Sequence, residues 1–477
     1  MHNNDSTNYS KIFYSTSKYL VLKNIFMVIT GILSIFIVRL LTPVEYGKWS
    51  LVWQLIGTVG PIISLGFLTT LSKFIPEYPD IQRKKLLFSQ SISIVLISFS
   101  VFAFFYILGN SLFPKFIPQE IKVVKFPFMF FVGCVALINL FEGYYRGLGK
   151  FNQWSVIDGS RSIISAGLSI LFILILSNRF EILFYTYFSL IFLFLLFLFI
   201  SLRDHINFNS DLKIEKKIIN FSLIMFSGQI VFLLGTSIDS VLLRALLKDP
   251  SQVGYYNAGI RIPKLLEAML ISPLSVPFLY YFSHYNISHS RETILEFGSK
   301  MLGIIFGFLA LFLFSFADKI VLIVFGKMYQ ESIIILRIYS INLLFWGYQA
   351  LLLPYFYSIN KPLSPVIFLS ISYILFFILN LILIPKLKST APAITTLIML
   401  IIYNSLLSST ISNQKVKCFR NFTFLTVSIL IVTISGFYFS FYISIPIFFI
   451  IILTTQILKF SDIELFKKII KKDTQIS

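Results

Sequence analysis

The sequence predicts an all-α polytopic membrane protein of about 14 transmembrane helices: two six-helix lobes related by a parallel repeat, plus two C-terminal helices. Three observations predict it. Hydrophobic residues make up 57% of the 477 and charged residues only 13%, about half the charged share of soluble domains. The apolar stretches are continuous over about 20 residues, the length that crosses hydrocarbon. They do not alternate with period two as the strands of an outer-membrane barrel do. Short motifs also recur at a nearly constant offset along the chain.

The polar N-terminus, Met1 to Lys18, precedes a first apolar run without a small-residue cleavage pattern, so this run reads as a retained span. Fourteen runs follow in order: 19–41, 48–71, 87–109, 123–142, 155–177, 181–202, 218–244, 254–281, 300–325, 333–358, 364–385, 391–411, 422–440 and 443–458. Asp318 and Lys319 cut the ninth run. With the N-terminus placed in the cytoplasm, 23 of the 40 Lys and Arg residues fall in cytoplasmic segments and 12 in outer ones. That bias places both termini in the cytoplasm and favours an even number of spans. The net charge of +19 therefore reads as basic loops against anionic lipid, not as a nucleic-acid surface.

Arg39-Leu-Leu-Thr-Pro43-Val-Glu-Tyr-Gly47 follows the first span, and Arg244-Ala-Leu-Leu-Lys-Asp-Pro250-Ser-Gln-Val-Gly254 follows the seventh. Pro43 to Pro250 and Gly47 to Gly254 are each 207 residues apart. A second pair, Tyr144 to Lys150 and Tyr355 to Lys361, is offset by 211. The halves therefore divide as 1–203 and 204–413, with two further helices and a basic tail over 414–477. Six is even, so both halves enter the membrane in the same sense.

An ionisable side chain within a span costs about 2.5–3.5 kcal/mol on insertion scales and marks a candidate site. Lys23 and Arg39 bracket the first span, about 24 Å apart at 1.5 Å per residue; interfacial snorkelling is the rival reading for both. The eighth run carries Arg261 and Lys264 on one helix face, with Glu267 three residues further on. Pro263, Pro273 and Pro277 interrupt it, and broken charged helices are where transporters place substrate sites. A structural ion-pair cluster is the alternative. Asp239, in the seventh run, has no basic residue three or four positions away, which makes it an ion-coupling candidate, with Glu267 as a second. A salt bridge to Arg261 or Lys264 is the rival. Asp158 and Arg161 read as a local pair. His2, His205, His284 and His289 fall in cytoplasmic segments and Cys134 and Cys418 are isolated, so neither a metal site nor a cofactor is expected.

Arg39–Gly47, Gly66–Tyr78 and Tyr144–Lys150 resemble the polysaccharide-export branch of the multidrug/oligosaccharidyl-lipid/polysaccharide exporter superfamily, which includes O-antigen and capsule flippases. The resemblance implies an inner-membrane bacterial transporter, not an enzyme. Its substrate would be an undecaprenyl-pyrophosphate-linked oligosaccharide, moved from the inner to the outer leaflet for surface polysaccharide. Arg39, Arg261, Lys264 and Lys23 would line a cationic cavity, with H+ or Na+ at Asp239. Membrane lipid, a polysaccharide polymerase and chain-length proteins are the implied partners; nucleic acid is not. The alternatives are a multidrug exporter of the same superfamily, which would want acidic cavity residues, and a membrane polymerase or glycosyltransferase, which would want a large extramembrane loop.

Overall fold

The computed structural model of the protein describes residues 3–207, 214–284, 288–359, 361 and 363–412. It is helical, with no strand among the described residues. Packing divides the chain into two compact units, Met1–Asn257 and Ala258–Ser477. The repeat partition at 203/204 follows the motifs instead, so the two divisions record different properties.

The first unit contains α1 (Asn3–Leu40), α2 (Pro43–Ile63), α3 (Phe67–Glu77), α4 (Ile81–Leu112), the short α5 (Gln119–Val123), α6 (Lys125–Gly147), α7 (Phe151–Ile175), α8 (Phe180–Ser201), α9 (Lys216–Leu247) and the start of α10 (Pro250–Leu266). The second unit continues α10 and adds α11 (Ser275–His284), α12 (Ser288–Val324), α13 (Ser332–Ser340), α14 (Asn342–Ser358), α15 (Leu363–Leu387) and α16 (Ala391–Ser412). Each of the first twelve predicted spans coincides with one of these helices or a broken pair. Nine helices among the described residues are long and apolar enough to cross a membrane, or ten with the bent pair α2–α3. The predicted spans 422–440 and 443–458, with Cys418, lie outside the described residues.

Local chemistry sets the helix ends. Pro43 opens α2 at the position where its missing N–H costs nothing. The Thr42 hydroxyl accepts the Glu45 N–H at 3.3 Å, half of a Thr-x-x-Glu capping box. Glu45 also accepts from Lys48 at 2.7 Å and from the Phe180 N–H at 2.8 Å, tying the start of α2 to the start of α8. Asp249 does similar work before α10, accepting the Ser251 N–H at 2.9 Å and its hydroxyl at 2.6 Å.

Three predicted spans are not single helices; the tenth divides at Ile341 between α13 and α14. The second bends by 43° between α2 and α3. Leu65 and Gly66 are both left-handed there, with φ of 52° and 76°. The eighth runs smoothly through Pro263 and breaks later, at a π turn over Glu267–Ile271. Pro273 has no N–H to continue the α ladder, and the Ser272 N–H reaches back five residues to the Glu267 carbonyl. The cut expected at Asp318 and Lys319 does not occur: α12 continues through it, and Arg337 of α13 pairs with Asp318.

The second repeat motif ends both copies alike. The Leu148 N–H bonds Tyr144 O and the Lys150 N–H bonds Tyr145 O; the Ile359 N–H bonds Tyr355 O and the Lys361 N–H bonds Phe356 O. Each is a tightened helix C-terminus of Schellman type. Tyr144 stacks on Phe88 at 4.0 Å in the first unit, and Tyr355 meets Phe282 edge-on at 5.6 Å in the second. Outward, Phe104, Phe105, Ile175 and Ile200 are each more than 60% exposed, a surface suited only to lipid.

The first repeat motif explains its own glycines. A Cβ on Gly47 would lie 1.8 Å from Pro250 O, and one on Gly254 would lie 2.0 Å from Pro43 O. Backbone meets backbone, and no side chain fits. Overpacking of this kind costs about 1–3 kcal/mol or more. Gly47→Ala and Gly254→Ala are each expected to lower the unfolding temperature in detergent by several degrees. Gly57→Ala, where a Cβ meets nothing within 4 Å, should leave it unchanged.

Candidate functional site

In the first unit, α2, α9 and α10 share a buried polar network. Gln54 Nε2 donates to Asn257 Oδ1 at 2.7 Å, and Asn257 Nδ2 donates to Ser240 Oγ at 3.1 Å and Val253 O at 2.9 Å. The Thr58 hydroxyl donates to Ser237 Oγ at 2.8 Å. Asp239 sits within this network, 5% exposed. Its carboxylate accepts the Tyr256 hydroxyl and the Ser240 N–H, a neutral donor set in place of water. Gln54 Oε1 is enclosed and has no hydrogen-bond partner.

The same unit also holds charge pairs. Arg244, at the end of α9, bonds Glu120 of α5 at 2.8 Å, with the two side chains 13% and 2% exposed. Arg146 pairs with Glu142 one turn earlier on α6, and Arg161 pairs with Asp158 on α7 at 2.6 Å. Lys23 is exposed on α1, within the electrostatic reach of Glu142. Arg39, at the last turn of α1, is exposed.

In the second unit, Arg261, Lys264 and Glu267 are half-buried and follow one another at three-residue steps. They occupy the last turns of α10 and the first residue of the π turn. Lys264 acts electrostatically on Glu267. Lys264 and Glu267 thus lie together, Asp239 sits in a network of hydroxyls and amides, and Lys23 and Arg39 stand on exposed faces of α1.

Sequence reasoning missed the uncharged members: Gln54, Thr58, Ser237, Ser240, Tyr256 and Asn257. Among apolar runs, single hydroxyls and amides carry little signal. One trace existed, because Asn257 lies one heptad after Pro250 and Ser50 one heptad after Pro43, so the repeated register marks position 257. Glu120 was missed because it sits in a short loop helix.

One titratable group with a shifted pKa lies outside the spans. His205, beyond α8, bonds the Tyr144 hydroxyl through Nδ1 at 2.6 Å. Burial, then the nearby Lys85 and Lys150 charges, holds its pKa below the usual 6.5.

The helix order, the duplicated motifs and the broken charged helix define an all-helical fold with many membrane-spanning segments. The profile of the polysaccharide biosynthesis protein family matches residues 12–283, more than half the chain, and the protein belongs to that family. No curated protein matches the sequence. Among solved structures, the lipid II flippase MurJ in an inward closed conformation is similar at a TM-score of 0.69 and 16% identity, over 95% of this chain and 99% of that one. An inward-facing multidrug resistance MATE family transporter of the MOP superfamily is similar at 0.66 and 15%, over 82% of this chain and 95% of that one. These likenesses show a shared fold.

Two outcomes test the site's electrostatics. Arg244→Ala leaves the Glu120 carboxylate buried without its partner, a loss of about 3–5 kcal/mol; the readout is thermal unfolding in detergent, where Glu120→Gln in the same chain should recover part of it. For His205 the folded pKa lies below the unfolded one, so its contribution is complete above the unfolded value and is lost as pH falls through the folded one. Unfolding temperature should drop on acidification below about pH 6.5, and His205→Gln should flatten that segment of the profile.

Proposed function

We propose that the protein is a flippase that moves undecaprenyl-pyrophosphate-linked oligosaccharide from the inner to the outer leaflet of a bacterial inner membrane. Both termini then lie in the cytoplasm. The observation that carries this reading is the half-buried pair Arg261 and Lys264, one turn apart before the π turn at Glu267, in a chain of the polysaccharide biosynthesis family.

The physical need is plain. A pyrophosphate stripped of water costs tens of kcal/mol in the Born limit. Arg offers it a bidentate fork and Lys a point charge. Arg39, in the last turn of α1, and Lys23, sixteen residues before it, extend the cationic lining. The prenyl tail stays in lipid, and alternating access of two lobes carries the head across. Outward movement of each negative charge gains about 2.3 kcal/mol per 100 mV of inside-negative potential. Asp239, with Glu267, couples the cycle to H+ or Na+. The product feeds a polysaccharide polymerase and its chain-length proteins.

Deletion in a strain without a paralogue should leave lipid-linked repeat units on the cytoplasmic leaflet and remove surface polysaccharide; an unchanged surface would overturn the reading. The MATE likeness supports a second reading as multidrug exporter, which the same strain tests by its drug sensitivity. In proteoliposomes, Arg261→Ala and Lys264→Ala should each slow flipping at least about tenfold, the worth of one charge-assisted contact, with normal membrane insertion. Asp239→Asn should change the pH or sodium dependence of the rate, and an unaltered dependence removes Asp239 from coupling.

A further inference from the structure

The connection between α8 and α9 is moored at its two described ends, both within the first unit. At the far end the Tyr78 hydroxyl, just past α3, donates to Glu215 at 3.0 Å. At the near end two contacts hold residues 205–207. Ser89 Oγ, on α4, accepts the Asn207 N–H at 2.8 Å. The Tyr144 hydroxyl, on α6, meets His205 Nδ1 at 2.6 Å, and the two rings stand edge to face with centroids 5.7 Å apart.

Tyr144 cannot turn away from this contact. It is fully buried and stacked on Phe88 at 4.0 Å. Its hydroxyl has no other hydrogen-bond partner among the described residues. The hydroxyl proton is therefore satisfied only while Nδ1 accepts, which requires a neutral imidazole with its hydrogen on Nε2. An imidazolium makes Nδ1 a donor and strands the Tyr144 proton in a buried place.

Charge acts in the same direction. The charged groups that face the ring are Lys85 from the first turns of α4, Lys150 from just past α6 and Asp204 from the same connection. Two cations oppose a third. Asp204 is 84% exposed, so water screens its answer. In the second copy of the motif, Tyr355 meets the ring of Phe282 edge-on at 5.6 Å. An aromatic contact at this position therefore does not require an imidazole, and the histidine adds a property that packing alone does not need. That property is titration near neutrality.

We propose that the Tyr144–His205 contact is a pH-sensitive latch, which docks the start of the α8–α9 connection on α4 and α6 while His205 is neutral and releases it when His205 takes a proton from the water on that side. The latch does not depend on the transport reading. Burial, then the two lysines, lowers the docked pKa below that of a free imidazole. Docking is thus complete above the free value of about 6.5 and weakens as pH falls through the docked one.

The test reads the connection directly, in the full chain in detergent. Cys134 and Cys418 are replaced by Ala, and a nitroxide is attached through Asn207→Cys, an exposed position. Its spectrum should be immobilised at about pH 8 and gain a reversible mobile component towards about pH 5. His205→Gln, which does not titrate, should remove that pH response. Tyr144→Phe should leave the label mobile throughout. A control nitroxide at exposed Gln82 of α4 should stay unchanged. The latch is overturned by a native spectrum that does not respond to pH, by a His205→Gln or Tyr144→Phe chain that titrates as the native one does, or by an equal response at Gln82, which would report general loosening. None of these readouts uses flipping, so the latch and the transport reading stand or fall separately.

Discussion

Hydrocarbon offers no partner to a charge or a hydrogen-bonding group, and that one constraint organises the interior of this protein. Four arginines are answered at short range: Arg244 by Glu120, Arg146 by Glu142, Arg161 by Asp158 and Arg337 by Asp318. Buried hydroxyls and amides are chained together, as along Gln54, Asn257 and Ser240. The stretch Arg261, Lys264 and Glu267 places two cations and one acid at the point where the helix loses its regular ladder.

The fold was legible where the chemistry is periodic. Continuous apolar runs located twelve helical segments, and the paired Pro and Gly residues mark the positions where Gly47 meets Pro250 and Gly254 meets Pro43. What stayed hidden depends on partners distant in the chain. Gln54 and Asn257 are 203 positions apart, and neither is informative alone. Asp318 read as a break because nothing in its own run compensates it; Arg337, 19 residues on, does. The kink at Leu65 and Gly66 is a matter of backbone sign, which an apolar run does not record. Proline count pointed to a broken eighth span but not to the place, since Pro263 sits in a regular helix while the ladder yields before Pro273.

Of the candidate site, the charged members were legible and their setting was not. Asp239 stood out as a lone acid, but its dependence on Tyr256 became visible only in three dimensions. A tyrosine hydroxyl and a peptide N–H stabilise a carboxylate without cancelling its charge, as an arginine would. Asp239 is thus held by neutral donors, in contrast to Glu120, which is held by Arg244.

The contact between Gly47 and Gly254 is reciprocal: the first approaches the carbonyl of Pro250, and the second approaches the carbonyl of Pro43. Each motif therefore constrains the other: a side chain on either glycine would have to displace the opposite motif's carbonyl, so the two positions can change only in concert.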